Sequence, residues 1–148
     1  MLSVVVPIYN AQAFIHRALD SLLSVPASDR HKVEIWLVND GSSDGSADLA
    51  QQWLAKRGQT FRHAELIRKS NGGSASARNA GLQRCTGRWL LMLDADDELI
   101  VDPLPLLEQH PEATLILYAV ELATHGKVTG TGKPARIHSR NRMTKLTA

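Results

Sequence analysis

The chain has 148 residues, the size of one ordinary domain that can bury a core without disulfides or a structural metal. Apolar residues make up 43% and charged residues 22%, the formal net charge of +2 is too small to imply nucleic-acid binding, and no apolar run approaches bilayer length. Cys85 is the only cysteine, which excludes an internal disulfide and a Cys-cluster zinc site and fits a reducing, cytoplasmic setting.

Leu2 to Ile8 is short, β-branched and continuously apolar, the pattern of a strand covered on both faces of a parallel sheet. It lacks the basic n-region and long h-region of a signal peptide. From Ala11 to Ser24 the apolar residues Phe14, Ile15, Ala18, Leu19, Leu22 and Leu23 recur at three- and four-residue spacing, which predicts a helix stopped by Pro26. Val33 to Val38 reads as a second buried strand, followed by turn formers and caps from Asn39 to Gly45 and a helix over about 46–56. Phe61 to Arg68 is a third strand, interrupted by His63 and Glu65. Asn71-Gly72-Gly73-Ser74 then leads into a small-residue helix over 75–84, and Arg88 to Leu93 is a fourth strand that stops at Asp94. A short helix near 104–109, an apolar strand from Thr114 to Leu122 and a hairpin around 125–130 complete the reading. The strand–helix alternation argues for an α/β domain over 1–122, with a mostly parallel sheet and helices on both faces. Residues 123–148 form a hairpin and a basic tail holding Lys127, Lys133, Arg136, Arg140, Arg142 and Lys145. That tail is either a solvated end or a contact for phosphates or anionic lipid at a membrane periphery.

In an open parallel sheet all carboxyl ends point one way, so four polar loops gather along one edge: Pro7 to Gln12, Asn39 to Gly45, Asn71 to Gly73 after a short basic step, and Asp94 to Glu98. Asp40, just past a buried strand, suits the imide N–H or ribose hydroxyls of a nucleotide, or else makes an Asx-turn. Ser42 or Ser43 would then cap the next helix and leave Asp40 free. The small residues after Asn71 let a helix start close to an anion, or simply allow close helix–sheet packing; Arg78 on that helix favours the first use. Asp94-Ala95-Asp96-Asp97 places three carboxylates in four residues. Their repulsion would be relieved by a hard cation that keeps waters and shares substrate phosphates, while an acidic turn capping the next helix is the alternative. The six histidines share no metal-ligand spacing, and core packing accounts for Trp36, Trp53 and Trp89. Gly-x-Ser-x-Gly is absent, and Tyr9-Asn10-Ala11-Gln12 stands where a dehydrogenase needs Gly-x-Gly-x-x-Gly, which disfavours both of those enzymes.

Four blocks in order carry a resemblance: Ser3 to Asn10, Val38-Asn39-Asp40-Gly41-Ser42-Ser43-Asp44, Asn71-Gly72-Gly73 through Ala77-Arg78-Asn79-Ala80-Gly81-Leu82, and Leu93-Asp94-Ala95-Asp96-Asp97. Together they resemble the motifs of family 2 glycosyltransferases, the inverting enzymes of GT-A (Rossmann-like) fold. The resemblance runs over about residues 2–121 and implies a three-layer sandwich. By that resemblance Pro7 and Tyr9 lie along the nucleotide base, Asp40 contacts the base, usually uracil, and Arg78 sits beside the nucleotide. Asp94 lies near the ribose, and Asp96 holds Mn2+ or Mg2+ on the diphosphate of the donor. The implied partners are a nucleotide-sugar donor and a glycan, lipid or other hydroxyl acceptor. The family's general base and Gln-x-x-Arg-Trp-type segment have no counterpart here, so the catalytic residue stays unassigned. The expectation is a chain truncated at its C-terminus: a glycosyltransferase donor domain, or a non-catalytic nucleotide-sugar-binding module.

Overall fold

The computed structural model describes residues 1–111, 121–124 and 127–131. The described chain divides into two compact units, Met1–Leu104 and a second from Pro105 onward.

In the first unit four strands form one parallel sheet: β1 (Leu2–Ile8), β2 (Val33–Asp40), β3 (His63–Lys69) and β4 (Trp89–Met92), in the order β3-β2-β1-β4. Between them run α1 (Ile15–Ser21, continued by a 3-10 turn over Leu22–Ser24), α2 (Ser46–Arg57) and α3 (Ser74–Leu82). The central strands read as continuous apolar runs because both faces are covered, and Val4, Val5, Val6, Ile8, Val33, Ile35 and Leu37 are almost wholly inaccessible to solvent. Each such side chain contributes on the order of 1.5–3 kcal/mol of transfer free energy.

The pleat divides these residues between two layers. Val5, Trp36 and Val38 pack with Ala77 of α3. Helix α3 lies close because Gly81 has no side chain: a Cβ there would stand 3.1 Å from one Val5 methyl and 3.2 Å from a Val38 methyl. Helices α1 and α2 pack on each other, and α2 packs on β2 and β3. Ile15, Ala18 and Leu19 are buried on α1, Ala47, Ala50 and Trp53 on α2. The Trp53 Nε1–H donates to Asp20 Oδ1 across the two helices at 3.0 Å. Trp36 and Trp53 are core residues as expected, whereas Trp89 is half-buried on β4.

Three local expectations change. Helix α1 begins at Ile15 instead of Ala11, because Ala11 to Phe14 forms a turn in which the Phe14 and Ile15 N–H groups both bond the Ala11 carbonyl. Strand β2 runs on through Asn39 and Asp40, which stay in register with Arg68 and Lys69 of β3. Helix α2 is not capped by Ser42 or Ser43: its N-cap is Gly45, and Asp44 just before it accepts the Ser46 N–H at 3.0 Å and the Ser46 hydroxyl.

The second unit begins along α4 (Leu104–Gln109), matching the expected short helix. Further on, β5 (Glu121–Thr124) pairs antiparallel with β6 (Lys127–Thr131), the hairpin read around residues 125–130. Most of the strand expected over Thr114–Leu122 and the basic residues from Lys133 to Lys145 lie outside the described residues. Among the described residues no helix is long and apolar enough to cross a membrane.

Candidate functional site

Strand order places the site. The chain steps outward from β1 to β2 to β3, then returns to the other side of β1 as β4, so the strand order reverses between β1 and β4. Such a reversal opens a crevice at the carboxyl ends of the strands. A cavity of about 410 Å³ lies there, and Pro7, Tyr9, Asp40, Arg78, Asp94 and Asp96 all line it. The structure thus brings together every site residue expected from the sequence. Phe14, Asn71, Gly73 and Ser74 line it as well. Tyr9 and Phe14 are 55% and 45% exposed, so the cavity offers open aromatic surface beside its carboxylates.

The first two loops are clasped together. Asn10 takes a left-handed conformation (φ 48°), and its Oδ1 accepts the Ser43 N–H at 2.9 Å. Its own N–H donates to Ser42 Oγ at 3.1 Å, and the Ala11 N–H to Ser46 Oγ at 2.8 Å. The Gln12 N–H donates to Asp44 Oδ2 at 3.1 Å, and Gln12 Oε1 accepts the Gly45 N–H at 2.8 Å. These bonds pin the loop after β1 to the loop after β2.

Asp40 is buried at 2% exposure, and it is not free. Lys69 donates to its Oδ1, and the Gly72 N–H reaches Oδ1 at 3.0 Å and Oδ2 at 3.2 Å. The Lys69 ammonium, outweighing the desolvation of burial and aided by the Gly72 N–H, holds the carboxyl below its ordinary value. Asp40 is therefore an anion facing a cavity.

Helix α3 opens on the cavity through Gly73, whose φ of 85° suits glycine and whose missing side chain faces open space. No side chain caps the helix, so its first N–H groups and dipole end are available to an anion. Arg78, one turn on, donates to Asp94 Oδ1 at 2.6 Å, tying α3 to the loop after β4. The guanidinium is thus half of an ion pair, with both members only partly buried.

Asp94 to Asp97 closes a turn through the Asp97 N–H and the Asp94 carbonyl at 3.0 Å. Desolvation, with the charges of Asp96 and Asp94 beside it, pushes the Asp97 carboxyl up. Asp96 is exposed at the rim. Among the described residues no three Asp, Glu, His or Cys side chains converge tightly enough to cage a metal. One exposed carboxylate beside an ion-paired one fits instead a hydrated cation that takes its remaining ligands from a substrate phosphate.

Sequence reasoning passed over Lys69 and Asn10 as individual residues. Their signals were a lysine at the last position of β3 and an Asn able to adopt positive φ where a strand breaks.

Known proteins resemble this chain in sequence and fold. The glycosyltransferase EpsJ of Bacillus subtilis (strain 168), itself uncharacterised, is 41% identical over 97 residues, which are 66% of this chain and 26% of EpsJ. Staphylococcus aureus TarS 1-349, solved in complex with UDP-GlcNAc, superposes with a TM-score of 0.60 at 26% identity over 74% of this chain and 32% of that one. The mannosyltransferase PcManGT of Pyrobaculum calidifontis, solved with GDP-Man and Mn2+, shares the fold with a TM-score of 0.64 at 23% identity, over 84% of this chain and 35% of its own. The α/β sheet is that of the GT-A glycosyltransferases. The chain spans about a quarter to two-fifths of the lengths of these proteins. The model of the family described as "Glycosyl transferase family 2" matches residues 3–146, and the chain belongs to that family.

Proposed function

We propose that this chain carries the donor site of a metal-dependent, inverting glycosyltransferase that moves a sugar from a UDP-linked donor to an acceptor hydroxyl. The observation that carries the reading is the convergence of Asp40, Arg78, Asp94, Asp96 and the uncapped start of α3 on one cavity. TarS, which binds UDP-GlcNAc, supports the nucleotide class. Asp40, ionised and buried, accepts the N–H of the base, while Pro7 and Tyr9 flank the ring. Asp94, oriented by Arg78, faces the ribose. The N–H groups of α3 and the Arg78 guanidinium receive the diphosphate. Asp96 would hold a Mn2+ or Mg2+ ion, which when bound neutralises charge on the departing nucleoside diphosphate. Pre-set donors of this kind act where negative charge grows as the C1–O bond breaks.

Titration calorimetry of the chain against UDP, GDP and NAD, with and without Mn2+, tests this. UDP binding should require the metal and weaken at least about 30-fold in Asp96→Ala, in line with the loss of a charged contact. NAD binding indifferent to metal would sink the proposal. Release of UDP from a UDP-sugar then reports transfer to water, and its absence alongside tight binding would mark a pure binding module.

A further inference from the structure

Lys69 contacts the carboxylate assigned to the base, yet it does not line the cavity that Asp40 faces. The two residues are register partners at the ends of β2 and β3, so Lys69 reaches Asp40 from the neighbouring strand. Lys69 is itself held, donating to the Ser70 carbonyl at 2.6 Å. A carboxylate oxygen has about two acceptor positions. On Oδ1 the Lys69 ammonium and the Gly72 N–H, at 3.0 Å, use both. Oδ2 shares the same Gly72 N–H at a longer 3.2 Å, and the neighbouring Gly73 N–H, which helps hold the carboxyl down, is committed to Asn71 Oδ1 at 3.1 Å, so one position on Oδ2 stays open.

We infer that Lys69 is a positioning residue that sets base specificity: by saturating Oδ1 it leaves Asp40 one acceptor, which suits a base with a single N–H donor. This rests on the reading of Asp40 as the acceptor for the base. Uracil presents one N–H, between two carbonyls. Guanine presents a ring N–H and an amino group side by side, which match a carboxylate only when both oxygens are free. In the native site the second guanine donor would face an occupied oxygen and lose its hydrogen bond, a strong form of discrimination. The preference for UDP over GDP thus comes from the residue paired with Asp40 as much as from Asp40 itself.

The test compares UDP and GDP affinities, in Mn2+, for the wild-type chain, Lys69→Met and Lys69→Arg, with thermal melts confirming that each is folded. The wild type should prefer UDP. Lys69→Met, with Oδ1 released, should shrink the UDP-to-GDP ratio by about tenfold or more, whereas Lys69→Arg, which keeps a charged donor, should hold the ratio within about threefold. A ratio unchanged in Lys69→Met, or equal losses for both nucleotides, would show that Lys69 only supports the loop and overturn the inference while leaving the donor-site reading intact. A wild-type chain that prefers GDP, or binds neither nucleotide, would overturn that reading and this inference with it.

Discussion

Strand β2 buries a carboxylate at each end, Glu34 at 3% exposure and Asp40 at 2%, and the two are satisfied in different ways. Glu34 is ringed by neutral donors from the protein. Ser3 Oγ and the Thr86 N–H donate to its Oε1, each at 2.6 Å, Thr86 Oγ1 donates to Oε2 at 2.8 Å, and the Gly87 N–H, bonded to Ser3 Oγ at 2.8 Å, lies a longer 3.2 Å from Oε1. Asp40 has a cation on one oxygen, one shared N–H, and a cavity in front of it. A carboxylate bonded on both oxygens from within, at 2.6–2.8 Å, holds structure together. One left partly open toward a cavity has capacity for a ligand. The same strand thus carries a staple at its amino end and a recognition group at its carboxyl end.

The sharpest way to break that contrast is at the staple. Glu34→Ala would leave the buried Ser3 hydroxyl and the Thr86 N–H and hydroxyl without their acceptor, while the Gly87 N–H keeps Ser3 Oγ at 2.8 Å, and each buried donor left unpaired costs about 1–3 kcal/mol. A loss of about 3–5 kcal/mol in denaturant unfolding is expected, with UDP affinity of the folded fraction unchanged. Glu34 also predicts an acid limb. Burial pushes its carboxyl up, but the Ser3 hydroxyl and the Thr86 N–H and hydroxyl outweigh burial and bring it from 4.5 down to about 2. A group depressed on folding stabilises the fold above its unfolded value and loses that contribution as pH falls through its folded one. Stability should therefore decline by about 3 kcal/mol between pH 4.5 and 2, and Glu34→Gln should flatten that decline.

At the other end the expected effect moves from stability to affinity. Asp40→Asn keeps an acceptor for the Gly72 N–H, and the partly exposed Lys69 ammonium can turn to water, so melting should shift little. The base loses its charged acceptor, and UDP should bind about 50-fold more weakly, the range of a charge-assisted hydrogen bond. If Asp40→Asn melted as low as Glu34→Ala while binding UDP normally, the two carboxylates would have the same role and the contrast would collapse.

The fold was legible because it rests on local periodicity. Continuous apolar runs such as Leu2–Ile8 and Val33–Val38 sit where buried parallel strands belong, and the small residues of α3 are explained by Gly81 against Val5 and Val38. The site was legible at the level of loops, since parallel strands bring their carboxyl ends together whatever the loops contain. The wiring was not. Lys69 and Asp40 are 29 residues apart and Glu34 and Thr86 are 52 apart, and such pairs follow from strand register, which no local pattern reveals. Ser42 or Ser43 suits a cap by residue type, yet Asn10 engages both across the two loops and Gly45 stands at the N-cap.

That engagement supplies the smallest test. Asn10 holds two things at once: a left-handed backbone that lets the chain turn out of β1, and a side-chain acceptor that fixes the loop after β2. Asn10→Gly keeps the backbone freedom and removes the acceptor; Asn10→Ala removes the acceptor and adds a left-handed Cβ cost of about 1 kcal/mol. Both should weaken UDP binding by about threefold, because Tyr9 is no longer held against the loop that carries Asp40, and only the alanine variant should also melt lower. Equal melting of the two variants would show that the loop relaxes out of the left-handed conformation. An unchanged UDP affinity in both would show that the clasp between the first two loops does not set the geometry of the donor site.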